Sequence, residues 1–221
     1  MKKLFLIAFL AVFISAPSAN AQDYIYGGIS GRVSFLRDAD NSGGGISIES
    51  SYDTGLGVSG HVGAAFGNFR IEGELGWQKN DVDKLTITND GGIGVALGVG
   101  SLNGLSVDAD GDVSGIALMV NGYYDFDTGG PWKPYVGVGI GYARVSADIS
   151  AVGVKIVDDH DNVFAYQGML GIGYEISKAT TIYGGYRYFA TADPSFEDTA
   201  GSSFDSETRS HNIEAGIRFV F

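Results

Sequence analysis

The chain of 221 residues has no cysteine. A disulfide framework, thiol catalysis and thiolate metal centres are therefore excluded. Proline is scarce. Pro131, Pro134 and Pro194 are the only ones beyond residue 21, and none interrupts the middle of an alternating stretch, as strand hydrogen bonding requires. After residue 14 no apolar run approaches the roughly 18 residues of a membrane-crossing helix. Histidine occurs three times, and bases are outnumbered by acids, 14 to 26. An acidic chain lacks the basic patch that nucleic acid needs, so nucleic acid is excluded as a partner. Charged residues make up only 18 %, against 35 glycines, 12 tyrosines and 13 phenylalanines. That balance is unusual for a soluble globule.

The N-terminus reads as an export signal. Lys2 and Lys3 precede an apolar run over residues 4–14, and Ala19 and Ala21 form a small-residue cleavage pattern. The run is too short to span a bilayer as a helix, which needs about 20 residues. Cleavage after Ala21 is expected, leaving a single domain over 22–221 that is delivered beyond the inner membrane.

Period-2 alternation then recurs eight times. "YIYGGISGRVSF" sets Ile25, Ile29, Val33 and Phe35 against Tyr24, Tyr26, Ser30 and Arg32. "LGVSGHVGAAF" sets Leu56, Val58, Val62 and Phe66 against Ser59 and His61. After a Gly67-Asn68 turn, "FRIEGELGW" sets Phe69, Ile71, Leu75 and Trp77 against Arg70, Glu72 and Glu74. Similar stretches cover 114–126, 134–143, 164–176, 181–189 and 211–221. They place Asn121, Tyr123, Asp125, Gln167, Glu175, Arg187, Glu214 and Arg218 on the polar face. Side chains two apart share a face, so each stretch is a strand with one apolar and one polar side.

The connections alternate as well. Residues 67–68, 127–131 and 177–180 are short, whereas 37–54, 79–112, 146–163 and 190–209 are long. This pattern predicts an all-β, eight-stranded antiparallel transmembrane up-and-down barrel, with short periplasmic turns and four long extracellular loops. Closure matters because lipid cannot hydrogen-bond a free strand edge. A soluble up-and-down barrel shares the period, but three features favour the membrane. Large charges from several strands share the polar face. Aromatics gather at strand ends: Trp77, Tyr142, Tyr166 and Tyr188 at one level, Phe66, Phe69, Tyr124, Tyr174 and Phe219 at the other. They form the two belts of a bilayer interface. The third feature is a final strand that stops on Phe221. A ten-strand variant using 93–100 fails because 105–112 is too acidic to cross. Residues 79–112 are expected to form one long loop, plain or with a hairpin rising above the bilayer, whose apolar, glycine-rich piece covers the barrel mouth or makes a contact patch.

The terminal "GIRFVF" resembles the C-terminal signature of outer-membrane barrels. That resemblance implies an assembly signal at Ile217, Phe219 and Phe221, read by the barrel-assembly machinery. "FRIEGELGW", "PWKPYVGVGIGYA" and "YRYF" are similar to strands of the opacity-protein and OmpA-like porin superfamily, which includes surface antigens of Gram-negative bacteria. The resemblance spans the chain beyond the signal and implies residence in the outer membrane, among its lipid and lipopolysaccharide. It also leaves several roles open: adhesin, antigen or envelope protein with a host or cell-surface receptor as partner, or a small passive pore. No periplasmic peptidoglycan-binding domain of the OmpA kind is expected.

The expected site is the lumen. Arg32, His61, Arg70, Glu72, Glu74, Asp125, Glu175, Arg187, Glu214 and Arg218 should face inward as a plugging network, with Arg187 pairing with Glu214. Such groups must meet, because unpaired charge in a core is costly. The competing reading is a narrow water channel lined by the same groups.

Nineteen of the acids but only five of the bases lie in the four long connections. Within them, Asp38, Asp40, Ser42 and Glu49 follow calcium-loop spacing with Gly43 at the turn position. A weak Ca2+ site at 37–54 is the sharper reading and a solvated acidic loop the simpler one; no other cofactor is indicated. Catalysis is not expected. Ser210 and His211 are adjacent and so point to opposite faces, His160 has no nucleophile pattern beside it, and His61 is expected to contact Glu74 across its hairpin.

Overall fold

The computed structural model describes residues 23–37, 39–43, 46–151, 154–192, 195–197, 203–205 and 209–221. The expected signal segment and cleavage site lie outside them. Eight strands close into an antiparallel ring: β1 (Tyr24–Leu36), β4 (Gly55–Phe66), β5 (Phe69–Asn89), β6 (Ser106–Asp125), β7 (Trp132–Ala151), β8 (Val154–Ser177), β9 (Thr180–Thr191) and β12 (Arg209–Val220). The first and last strands complete the ring, from Tyr26 opposite Val220 to Leu36 opposite Ser210. Phe221 adds a backbone bond from its N–H to the Ile25 carbonyl, 3.0 Å. Every strand of the ring has two neighbours, so no backbone edge faces lipid. The Gly67-Asn68 hairpin has the expected register, with Gly67 at φ 60° and His61 opposite Glu74.

In the lower part of the ring the alternation resolves as apolar outside and polar inside. Ile29, Leu56, Leu75, Val138, Ile140 and Ile213 are exposed on the outer wall. Aromatics ring the turn end: Phe69 packs edge-on against Tyr124, Tyr124 against Phe126, and Trp132 against Tyr174. Tyr142 and Phe164 meet at the opposite level. Inside, Gly137, Gly139 and Gly171 are required by close approach. A Cβ there would collide with Tyr123, Asn121 and the Tyr135 hydroxyl, respectively.

The long connections carry more strand than expected, since a hairpin above the bilayer is expected only in 79–112. β5 runs 21 residues and β8 runs 24; about 10 suffice to cross the hydrocarbon. The β5–β6 ladder continues to Thr86 opposite Ser106, and the β7–β8 ladder to Ala151 opposite Val154. Stretch 146–163 is therefore a raised hairpin, and 79–112 is a hairpin whose apex holds one helical turn, α1 (Ile93–Ala96). Residues 93–100 form no strand, so the ten-strand alternative fails. Stretch 37–54 is also a hairpin, β2 (Ala39–Gly43) with β3 (Ile46–Tyr52), and it docks on the flank of β5. β10 (Ser195–Glu197) and β11 (Ser203–Asp205) extend the same outer sheet. The acids correctly barred these segments from the bilayer, but strand pairing in water needs no bilayer.

Above the membrane the two faces exchange character. Val82, Ala143, Val145, Ala147, Val163 and Ala165 pack together inside the raised sheet. Arg144 and Asp148 point outward into water, and Lys79 bridges Asp112 at 3.0 Å on the outer surface. The same ring is thus a membrane barrel below and a water-facing sheet with an apolar core above. The change of solvent dictates the inversion.

Candidate functional site: the lumen network and the raised hairpin

β5 carries Arg70, Glu72 and Glu74 inward at alternate positions, and the other strands bring their partners to them. Arg187 is the hub. Its Nη1 donates to Glu74 Oε1 at 2.7 Å and to Gln167 Oε1 at 2.8 Å. Its Nε donates to Glu214 Oε2 at 2.9 Å, and its Nη2 lies 2.8 Å from the same oxygen. Asn121 donates to Glu74 Oε2 at 2.9 Å and accepts from Gln167 Nε2 at 2.6 Å. Arg32 reaches Glu74 Oε1 from the other side, at 3.4 Å.

A second set lies toward the turns. Arg70 grips Asp125 with two hydrogen bonds, 2.6 and 2.9 Å, and its guanidinium sits 4.3 Å from the Tyr123 ring centre. Tyr26 and Tyr123 donate to Glu72 at 3.0 and 3.2 Å. Asn121, 3.5 Å from Glu72, joins the two sets. Arg218 packs its guanidinium against the rings of Tyr183 and Tyr26. The cavity enclosed here by Arg70, Glu72, Arg187, Glu214 and Arg218 is about 10 Å³, the room of one water.

Nine of the ten expected lumen residues lie buried or half-buried inside, four arginines balanced by Glu72, Glu74, Asp125 and Glu214, plus His61. Glu175 keeps the register of that face but lies exposed at the turn-end mouth of the lumen, away from the network. The strand is still paired there, Glu175 standing opposite Thr181 and its N–H donating to the Pro131 carbonyl at 2.9 Å, so the exposure comes from its place at the mouth and not from a change of face. His61 also differs from expectation. It stands opposite Glu74 in the ladder, but its ring packs edge-on between Tyr26 and Tyr183, and Nε2 has no hydrogen-bond partner. Glu74 is already held by Arg187, Arg32 and Asn121. The side chains of Asn121, Gln167, Tyr26 and Tyr123 complete the network; each was on the polar face in the sequence, but neutral groups gave no charge to single them out.

On β12, Ser210 is buried on the inner face and His211 faces outward, accepting or donating at 2.6 Å with the Tyr186 hydroxyl. The two side chains therefore form no catalytic pair. The terminal Phe219 and Phe221 are exposed on the outer wall, and Ile217 is half-buried. In the 37–54 hairpin, Asp40 stands opposite Glu49. Asp38 and the side chains of Asp40 and Ser42 lie outside the described residues, as does the side chain of His160. Among the described residues, no three metal-ligating groups cluster.

The apex of the β5–β6 hairpin is a built structure. The Asp90 carboxylate accepts from the N–H of Leu102 at 2.7 Å and of Gly92 at 2.9 Å, while Asn103 Oδ1 accepts from the Asp90 N–H at 2.8 Å. These bonds hold Asp90 below the ordinary aspartate range. The loop so tied presents Val95, Leu97, Val99 and Leu105 to solvent, each about half or more exposed.

A closed eight-stranded ring with an apolar outer wall, aromatic belts and a salt-bridged interior defines a bacterial outer-membrane β-barrel. The Surface_Ag_2 family model, described as surface antigen, matches residues 30–220; the chain belongs to the surface antigen family. It is 28 % identical over 115 residues to the outer membrane protein PagN of Salmonella typhimurium, a match covering 47 % of this chain and 48 % of PagN. The matched part thus spans about half the length of that relative. Among solved structures, the chain is similar to the outer membrane protein OprG of Pseudomonas aeruginosa, with TM-score 0.64, 15 % identity and coverage of 91 % and 96 % of the two chains. It is also similar to Neisserial surface protein A, with TM-score 0.53, 18 % identity and coverage of 89 % and 97 %. At such identities the two structures speak for the fold alone.

Proposed function

We propose that this protein is a non-enzymatic surface antigen that presents a raised, acidic β-superstructure to other surfaces, on a barrel closed by its own side chains. The bridge from Arg187 to both Glu74 and Glu214 carries the reading. These groups come from three strands and occupy the middle of an eight-stranded lumen, which has room for side chains and little else. The strands β5 to β8 continue as a stiff sheet well beyond the bilayer, and the sheet ends in an ordered apolar tip. A barrel that serves only to seal the membrane has no use for such an extension, whereas a contact protein places its variable, ligand-reading parts there.

The partners are outer-membrane lipid and lipopolysaccharide around the wall, the assembly machinery at Ile217, Phe219 and Phe221, and a receptor on a host or other cell surface. The acid-rich extension is repelled by the anionic lipopolysaccharide within a Debye length of about 8–10 Å, which favours an upright posture. The competing reading is a narrow passive pore. Conductance and binding measured on one refolded sample decide between them: a silent wild type that binds cells supports the contact protein. Steady single-channel currents without cell binding overturn it.

A further inference from the structure

Above the Arg187 bridge lies a cavity of about 50 Å³ that the network does not fill. Its wall is mixed: Val113, Ala117, Met119, Ala143, Val145 and Phe189 give it an apolar side, and Gln78, Asn80 and Ser114 a polar one. Its floor is polar, formed by Arg32, Glu74 and Gln167.

Arg32 is the weakly held member of that floor. Its side chain is 6 % exposed, its contact with Glu74 is long at 3.4 Å, and its Nε has no hydrogen-bond partner. Glu74 is already committed, one oxygen to Arg187 at 2.7 Å and the other to Asn121 at 2.9 Å. The wall also makes room for this guanidinium. A Cβ on Gly57 would stand 2.9 Å from Arg32 Cγ, and one on Gly76 2.8 Å from Arg32 Nη2. A buried cation with an unsatisfied N–H, beside a chamber with one apolar side, fits an anion that carries a short hydrocarbon tail.

We propose that the upper lumen is a binding site for a small amphiphilic carboxylate, with the head on Arg32 and the alkyl tail against Met119, Ala143 and Val145. The head gives the Arg32 Nε the acceptor it lacks, and the tail replaces empty space with contact. The site is separate from the raised tip and stands whether or not the tip binds cells.

The methionines supply the test. Met119 lies in the chamber wall, and Met169 lies below it against Tyr123 and Tyr135. Wild-type protein refolded in a non-ionic detergent and labelled at the methionine methyls is titrated with propanoate, and in parallel with propanol. The expected result is a saturable shift of Met119 with Met169 unmoved. Propanol and Arg32→Gln should each weaken binding roughly tenfold or more, because a hydrogen bond to a charged group is lost. Ala143→Leu should abolish the shift by filling the chamber, with folding verified by heat-shifted gel mobility. Should that variant not refold, Val145→Phe is read in its place. Shifts of both methionines that rise without saturating, no shift at all, or equal affinity in Arg32→Gln would each overturn the proposal.

Discussion

Arg187 and Glu214 are diagonal neighbours on adjacent strands. In the ladder Arg187 faces Asn212 and Glu214 faces Gly185, yet the guanidinium crosses two positions to lie 2.8 Å from the carboxylate. Gly185 leaves its place on the wall to the Tyr135 hydroxyl, and the same guanidinium spans the lumen to Glu74. One arginine thus ties three strands whose residues are up to 113 positions apart in the chain.

Removing that hub should be costly. Arg187→Ala leaves Glu74 and Glu214 facing each other without their main cation, and breaking a buried pair in this way costs about 3–5 kcal/mol. Urea titration followed by gel mobility should show a lower unfolding midpoint. Arg187→Ala combined with Glu214→Ala should recover part of the loss, because a stranded carboxylate is removed with its partner. An unchanged midpoint in Arg187→Ala would mean that water already shields the lumen.

The close-approach glycines make a separate prediction. Gly139→Val places two methyls where the Asn121 amide lies. Overpacking of this kind typically costs about 1–3 kcal/mol. Refolding yield and midpoint should fall, while Gly168→Val, at a position with open space around it, should behave as wild type.

The apex of the β5–β6 hairpin should loosen in acid. The Asp90 carboxylate is lowered by the N–H groups of Leu102 and Gly92. A lowered folded value means the stabilisation is present above the ordinary aspartate range and is lost as pH falls through the folded value. Amide exchange at Leu102 and Gly92, corrected for intrinsic rate, should stay level down to about pH 4 and accelerate as the pH falls further. Asp90→Asn should exchange faster already at neutral pH and respond less to acid.

Membrane sidedness can be read by labelling. A cysteine-free chain accepts single reporters without background. Val95→Cys, at the exposed apex, should react with an impermeant maleimide on intact cells. Lys178→Cys, in the turn between β8 and β9, should react only after the envelope is opened. The reverse pattern would invert the orientation.

The last strand should matter for assembly more than for the finished fold. Phe221→Ser removes an exposed aromatic at the rim but keeps the backbone bond to Ile25. Surface levels in cells should drop severalfold, while the refolded protein keeps its unfolding midpoint within about 0.5 kcal/mol, as for surface substitutions. Equal surface levels would remove any signalling role from the terminus.

Much of this protein was determined by local sequence. Strand period, the outer apolar wall, the aromatic levels and the hairpin register that sets His61 opposite Glu74 all follow from side-chain alternation and a two-residue turn, which act between near neighbours. The inward set could be read for the same reason, down to the pairing of Arg187 with Glu214 on adjacent strands. Tertiary structure alone decided three things. The stagger of the closed ring chose which charges meet across the lumen, bringing Arg187 to Glu74 and leaving His61 among tyrosines. The length of the ring left Glu175 at its turn-end mouth, exposed to water although it keeps the inward register opposite Thr181. The solvent outside the wall set the meaning of the alternation: Arg144 and Ala143 obey the same period as Ile140 and Gly139, but above the membrane the apolar side is the inside. Alternation specifies that two faces differ, and only the position of each strand segment relative to lipid and water specifies which face is buried.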